Sequence, residues 1–167
     1  MIVFFTSIPA FAGTDAFLTP DQIAPHQATI SRIEKYLTGL STIVADFTQT
    51  APDGTLATGT FYMKRPGMMR WQYNPPTPVL MIADGKVLTY FDYELEQVSY
   101  VKLDETVIGF MAQEKISFDK NVGLKDVEEK DGVIRITLAQ RDRPDEGELT
   151  LEELIAIIIR QLKAAAE

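Results

Sequence analysis

The chain has 167 residues, of which 46% are hydrophobic and 24% are charged, an ordinary globular composition that predicts a single domain. Its formal net charge of −8 argues against a nucleic-acid partner, because neutralising phosphates requires clustered Lys and Arg side chains. The sequence contains no cysteine, which excludes a disulfide scaffold, a thiolate metal site, a cysteine nucleophile and a lipid-attachment cysteine.

The first residues are typical of the end of a secretory signal. A short apolar run leads to Ala10-Phe11-Ala12, which has the small-x-small pattern of a cleavage site. We therefore predict that residues 1–12 are a signal-peptide remnant and that the mature protein is exported and soluble. The alternative interpretation is that this apolar run forms a first strand.

Two helical segments are predicted next. Residues 19–22 read Thr-Pro-Asp-Gln, which indicates a helix start with a threonine cap, proline in the first turn and glutamine three residues after the cap. Over residues 27–40 the apolar residues recur at helical spacing, which predicts an amphipathic helix that lies against another layer. These residues are Ile30, Ile33, Leu37 and Leu40.

Alternating patterns predict a set of strands. They fall at residues 43–50, 63–65, 69–73, 79–83, 87–91, 97–102, 115–118, 123–129 and 133–140. Asp-Gly pairs at 84–85 and 131–132 predict tight hairpin turns. Residues 104–113 return to helical spacing and predict a second covering helix. The fold class predicted is therefore α+β, a single antiparallel sheet with helices laid on one face.

The end of the chain predicts a further helix. Residues 150–153, Thr-Leu-Glu-Glu, have the pattern of a capping box, and apolar residues then recur at helical spacing. We predict a helical tail over residues 151–167. A helix with so broad an apolar face must pack somewhere, either on a sheet edge or in the concave face of the sheet.

The sequence offers no catalytic constellation. The single histidine, His26, has no companion histidine or cysteine and is interpreted as a surface or capping residue. There is no Gly-rich phosphate loop, HExxH or GxSxG motif. The carboxylates Asp92, Glu94 and Glu96 cluster around a hairpin, where solvated turn charges are favoured over an acid–base pair. We predict no enzymatic activity, no cofactor and no metal.

Arg65 is the residue that stands out. Two-residue alternation places it on the same face as Phe61 and Met63. It either bonds to whatever covers that apolar face or reaches solvent at the strand end. The neighbouring Met and aromatic residues either line an adaptable pocket or form a solid core. The full set is Phe47, Phe61, Met63, Met69, Trp71, Phe110 and Met111.

A series of motifs resembles the outer-membrane lipoprotein carrier family (LolA) in order and spacing. The resemblance covers roughly residues 27–150 and implies a carrier domain at 13–150, built as a half β-barrel with helices over its concave face. The family pattern also calls for further strands after residue 151, so the predicted helical tail departs from it. The motifs are Phe47-Thr48-Gln49, Gly59 with Phe61, Lys64-Arg65-Pro66-Gly67, Arg70-Trp71-x-Tyr73, Ala83-Asp84-Gly85-Lys86, Tyr90-Phe91-Asp92 and Glu96-Gln97-Val98.

The resemblance implies a function and a set of partners. It implies a periplasmic, monomeric carrier that holds lipoproteins by their acyl chains. Cargo would come from an inner-membrane ABC-type lipoprotein release complex and pass to an outer-membrane lipoprotein receptor. Arg65 would act as a latch by bonding backbone carbonyls of the 27–40 or 104–113 helix. The lid residues would be Ile30, Ile33, Leu37, Val107 and Ile108, and the acyl-chain cavity would be lined by the Met and aromatic set above.

Two other functions stay open from the sequence. The first is a general binder of lipids or hydrophobic ligands that carries no lipoprotein. The second is a scaffold whose concave face is filled by the C-terminal helix and binds nothing.

Overall fold

The computed structural model of the chain describes residues 3–7, 17–51, 53–118, 121–145 and 147–154. The strands among them follow the alternating segments of the sequence. They are β1 (Val3–Ser7), β2 (Thr42–Thr50), β3 (Leu56–Lys64), β4 (Met68–Tyr73), β5 (Val79–Asp84), β6 (Val87–Asp92), β7 (Gln97–Lys102), β8 (Val122–Lys130), β9 (Val133–Gln140) and β10 (Glu148–Leu154).

These ten strands form one curved, open sheet in the order β7-β6-β5-β4-β3-β2-β1-β10-β9-β8. Neighbouring strands pair antiparallel except β1 and β2, which are parallel. The edges β7 and β8 do not pair with each other, so the barrel is incomplete. The predicted α+β fold class is confirmed.

Helices cover one face of the sheet. Helix α1 (Pro20–Ile23) and a 3-10 turn lead into α2 (Gln27–Gly39). Thr19 and Gln22 form the predicted capping box, in which each side chain bonds to the other residue's backbone amide. The predicted second covering helix consists of two short 3-10 helices, Leu103–Glu105 and Val107–Ala112, the latter being called the covering 3-10 helix below. Among the described residues, no helix is both long and apolar enough to cross a membrane.

The core lies between the helices and the covered face of the sheet. Apolar side chains alternate inward along each central strand, and each fully buried one contributes about 1.5–3 kcal/mol. Helix α2 contributes one apolar stripe to the same core. The deepest strand residues include Phe61, Ile134, Ile136 and Leu138, all 0% exposed, and the helix stripe is Ile30, Ile33, Tyr36 and Leu37.

The N-terminal strand differs from the first interpretation of that segment. Residues Val3–Ser7, predicted as part of a signal remnant, form β1 between β2 and β10. The alternative interpretation, an apolar first strand, describes these five residues in this structure. Cleavage of the segment in the cell stays a prediction, and the proposed cleavage pattern at residues 10–12 lies outside the described residues.

The predicted start of the C-terminal helix is wrong. Residues 150–154 belong to β10, where Leu151 pairs with Ile136 of β9. Leu149 and Leu151 are 1% and 5% exposed, so burial at two-residue spacing and strand pairing outweigh the local capping signal. The rest of the predicted helix, residues 155–167, lies outside the described residues.

The strand predicted at residues 115–118 is also wrong. Ile116 and Phe118 are buried, as a strand pattern requires. Their backbone amides, however, bond to side chains of α2: the amide of Ile116 donates to Thr38 Oγ1 at 3.1 Å and that of Phe118 to Glu34 Oε1 at 2.8 Å. The segment therefore packs under the helix and does not join the sheet.

Candidate functional site

Arg65 lies between the two covering elements, directly after β3. Its Nε donates to the carbonyl oxygen of Leu40 at 2.9 Å, and one terminal nitrogen donates to that of Leu37 at 3.0 Å. The other terminal nitrogen donates to the carbonyl oxygens of Gln113 at 2.5 Å and Met111 at 3.4 Å. A single guanidinium thus binds α2 and the covering 3-10 helix at once. The sequence left open which helix would supply the carbonyls, and the structure shows that both do.

These carbonyls belong to helix ends, and that of Leu37 also accepts the backbone amide of Leu40 at 3.3 Å. Leu37 and Leu40 lie at the C-terminal end of α2, and Gln113 caps the C-terminal end of the covering 3-10 helix. Helix C-termini carry partial negative charge, so a cation between two of them is favourably placed. Burial lowers the pKa of the Arg65 guanidinium, but an arginine side chain stays charged in a protein.

The covering elements are also bound to each other. The side chains of Thr38 and Glu34 on α2 accept the amide hydrogens of Ile116 and Phe118, just after the covering 3-10 helix. Thr38 in turn donates to the carbonyl oxygen of Glu34 at 2.6 Å. Removing the contacts to Arg65 would therefore leave α2 and the 116–118 segment joined.

A cavity of about 150 Å³ lies between the sheet and the covering 3-10 helix. Its lining is mostly apolar and draws on β2, β4, β5, β6 and β10 as well as on the covering segment. The lining residues are Phe47, Gln49, Trp71, Tyr73, Met81, Leu88, Thr106, Val107, Ile108 and Leu149.

Gly59 allows two aromatic rings of this lining to meet. In register, Gly59 of β3 lies between Phe47 of β2 and Tyr73 of β4. The Phe47 and Tyr73 rings contact edge to face across it, with centroids 4.9 Å apart. A Cβ at Gly59 would lie 2.6 Å from the Phe47 ring and 2.3 Å from the Gln72 carbonyl oxygen. Only glycine fits this close approach.

Tyr73 brings a polar group into the cavity wall. Its hydroxyl donates a short hydrogen bond to Gln49 Oε1 and lies 3.4 Å from the sulfur of Met81. Burial raises the pKa of the Tyr73 phenol above its ordinary value, so the ring stays neutral and a donor. Neither Gln49 nor Tyr73 was among the site residues predicted from the sequence, where their one signal was membership of the family motifs.

A larger and more open cavity of about 630 Å³ lies beside α1 and the start of β8. Its lining includes the charged side chains of Glu34 and Arg141 together with Ile23 and Phe118. The Arg141 guanidinium lies 5.5 Å from the centroid of the Phe17 ring at the same end of the molecule. Its charged lining makes this cavity less suited to an apolar ligand than the smaller one.

Asp92 stabilises the turn of its hairpin. Asp92 Oδ1 accepts the amides of Glu94 and Leu95 at 3.0 and 2.9 Å, so it caps the hairpin as predicted. His26 ends a 3-10 turn and its side chain makes no capping hydrogen bond to α2. Within the described ranges, no three His, Cys, Asp or Glu side chains are grouped to hold a metal ion.

The comparison with protein families agrees with this architecture. A family model described as outer membrane lipoprotein carrier protein LolA matches residues 38–152, more than half of the chain. The chain belongs to this family. Arg65, the 150 Å³ cavity and the covering 3-10 helix all lie within the matched region of this LolA-family chain, which confirms the resemblance seen in its motifs.

Several similar proteins carry the family name. An outer-membrane lipoprotein carrier protein of Cupriavidus taiwanensis is 29% identical over 138 residues, covering 76% of this chain and 65% of that protein. Another, of Nitrosospira multiformis, is 32% identical over 87 residues, covering 49% and 42%. An uncharacterized protein of Rickettsia prowazekii is 27% identical over 126 residues, covering 75% and 59%. The chain therefore spans between 42% and 65% of the length of these relatives.

The structure divides the predicted cavity residues of this LolA-family chain into two groups. Phe47 and Trp71 line the 150 Å³ cavity. The other five pack in the core beside it with at most 3% of their surface exposed, namely Phe61, Met63, Met69, Phe110 and Met111. Of the predicted lid residues, Val107 and Ile108 line the cavity, whereas Ile30, Ile33 and Leu37 are buried between α2 and the sheet.

Proposed function

We propose that this chain is a periplasmic carrier that binds the acyl chains of lipoproteins and shuttles them from the inner to the outer membrane. The observation that carries the proposal is the position of Arg65, which binds the C-terminal ends of both covering elements beside an apolar cavity. Membership of a lipoprotein carrier family supports the same function. The protein would act by binding and not by catalysis.

The proposed mechanism requires the covering elements to move. A cavity of about 150 Å³ accommodates a molecule on the order of benzene in size, not a long acyl chain. Displacing α2 and the covering 3-10 helix would uncover Phe61, Phe110 and Met111, which are now fully buried. In this mechanism the described structure would correspond to the closed state, in which Arg65 keeps an apolar face away from water.

Opposing free energies would make cargo release possible. Burying one acyl chain of about 14 methylenes contributes on the order of 10 kcal/mol, at about 0.8 kcal/mol per methylene. Loading must break the four hydrogen bonds of Arg65 and separate the covering elements from the sheet. The net free energy of binding is then much smaller than the contribution from burying the acyl chain, so a receptor can remove the cargo.

The proposed partners follow from this cycle. An inner-membrane ABC-type lipoprotein release complex would supply acylated lipoprotein, and an outer-membrane lipoprotein receptor would accept it. Both are proposals that rest on family membership.

A displacement titration tests the proposal. A hydrophobic fluorescent probe is bound to the full chain and displaced first with a triacylated lipopeptide and then with a free fatty acid. We expect saturable probe binding that the lipopeptide displaces at lower concentration. Equal displacement by both ligands would favour a general lipid binder, and absence of saturable binding would contradict a carrier.

Two matched variants place the binding site. Val107→Glu puts a carboxylate at the cavity wall, at a half-buried position that tolerates it, whereas Val44→Glu puts the same charge on the outer face, where Val44 is 67% exposed. We expect Val107→Glu to lose probe binding and Val44→Glu to retain it. Equal effects of the two changes would contradict a site in this cavity.

A further inference from the structure

The carboxamide of Gln49 brings a hydrogen-bond donor to the apolar cavity that has no partner among the described residues. Besides the indole N–H of Trp71, the lining contains three polar side chains: Gln49, Tyr73 and Thr106. Thr106 donates to the carbonyl oxygen of Leu103 at 2.7 Å, and Tyr73 donates to Gln49 Oε1. The carboxamide nitrogen of Gln49 makes no hydrogen bond to any residue that the structure describes, so two N–H groups remain for a ligand.

Gln49 lies where the apolar lining gives way to a polar group. Along the inward face of β2, Ile43, Ala45 and Phe47 are 3–4% exposed, and Gln49, two residues further, is half-buried. A ligand with a hydrocarbon tail and a polar head would place its tail towards Phe47 and its head at Gln49.

Tyr73 fixes the direction of the Gln49 amide. The Tyr73 hydroxyl is held in place by its buried ring, which is 7% exposed and packs against Phe47. By occupying the amide oxygen of Gln49, this hydroxyl leaves the nitrogen as the group free to interact.

We propose that Gln49, positioned by Tyr73, donates a hydrogen bond to the carbonyl oxygen of an ester- or amide-linked acyl chain. The site would thereby select acyl chains over alkyl chains of the same length, because an ether offers a poorer acceptor and leaves unpaired a donor that the bound ligand shields from water. This inference rests on the proposed function and names the chemical group that the carrier recognises beyond the hydrocarbon.

The test compares two ligands that differ only in their carbonyls. One is a lipopeptide with two ester-linked hexadecanoyl chains, and the other is the same peptide with two ether-linked hexadecyl chains. Both are titrated against the full chain by displacement of the fluorescent probe. We expect the wild-type protein to bind the ester ligand about fivefold more tightly, the effect of roughly one net hydrogen bond.

Three variants assign that preference. Gln49→Met keeps the side-chain length and removes the donor, so we expect it to abolish the preference for the ester ligand. Tyr73→Phe should reduce the preference without abolishing probe binding, since Tyr73 is a positioning residue. Gln72→Met is the control, because Gln72 is an exposed residue of β4 that bonds to Arg70 on the outer face.

The outcomes separate this inference from the function on which it rests. Equal wild-type affinity for the two ligands, or an equal loss for both in Gln49→Met, would overturn the role of Gln49 and leave the carrier function standing. If the wild-type protein binds neither ligand, the carrier function itself is overturned and this inference with it.

Discussion

Replacing Arg65 by leucine should loosen both covering elements without unfolding the sheet. The leucine keeps an apolar side chain at this position but removes the guanidinium that donates to four carbonyl oxygens. A hydrogen bond to a charged group contributes about 1.5–3 kcal/mol, and bonds that share one guanidinium do not add fully. We take a total of about 3 kcal/mol, which raises the population of the open state by about 100-fold.

Amide hydrogen exchange measures that change residue by residue. The amide of Leu37 in α2 reports opening of the covering layer, and that of Ile136 in β9 reports global unfolding. We expect protection at Leu37 to fall by about 100-fold in Arg65→Leu while protection at Ile136 changes little. Protection at Leu37 in Arg65→Lys should lie between the values for the wild type and Arg65→Leu, because an ammonium lacks the planar fork that reaches both helix ends.

The control is Arg70→Leu, which removes an exposed arginine from the outer face of the neighbouring strand. It should leave exchange at both amides unchanged. Protection at Leu37 within threefold of the wild type in Arg65→Leu, or an equal loss at Leu37 and Ile136, would refute the latch.

In a lipoprotein transfer assay we expect Arg65→Leu to load and retain cargo but to fail at hand-off to the receptor. Normal transfer by this variant would contradict the same reasoning.

Two further changes test the packing and the turns. Gly59→Ala should destabilise the protein by about 1–3 kcal/mol, because its Cβ would meet the Gln72 carbonyl oxygen and the Phe47 ring. Urea unfolding measures the change in the free energy of unfolding. Gly39→Ala is the neutral control, because a Cβ at Gly39 would meet nothing within 4 Å. Asp84 accepts the amides of Lys86 and Val87, which holds the pKa of its carboxyl below the ordinary value. The turn should therefore be intact above about pH 4 and lose protection of the Val87 amide as the pH falls through the lowered pKa, whereas Asp84→Asn should abolish that pH dependence.

Most of the sheet could be predicted because its signals are local. Two-residue alternation located eight of the strands, and the Asp84-Gly85 pair predicted its turn, because side-chain direction and glycine conformation depend on neighbouring residues only. The errors at residues 115–118 and 150–154 have a different origin. In both, distant partners decide the structure: side chains of α2 in the first case and β9 in the second.

The residues of the candidate site also differ in whether they could be predicted from the sequence. Arg65 could be selected because a cation on an apolar strand face is visible in the sequence and matches a family motif. The pairing of Gln49 with Tyr73 could not, since β3 lies between their strands and the two residues become neighbours only in the folded sheet. Both belong to family motifs, but neither is a residue type that looks unusual in its own segment.

The contacts between the covering elements determine how the protein would open. Loss of the Arg65 bonds frees α2 and the covering 3-10 helix from β3, but the bonds from Ile116 to Thr38 and from Phe118 to Glu34 remain. The two elements should then leave the sheet as one body, so the amides of Ile116 and Phe118 should retain their protection while the amides of Val107–Ala112 lose theirs. Loss of protection at the Ile116 amide in Arg65→Leu would mean that each element opens alone. Cargo could then enter from either side of Arg65.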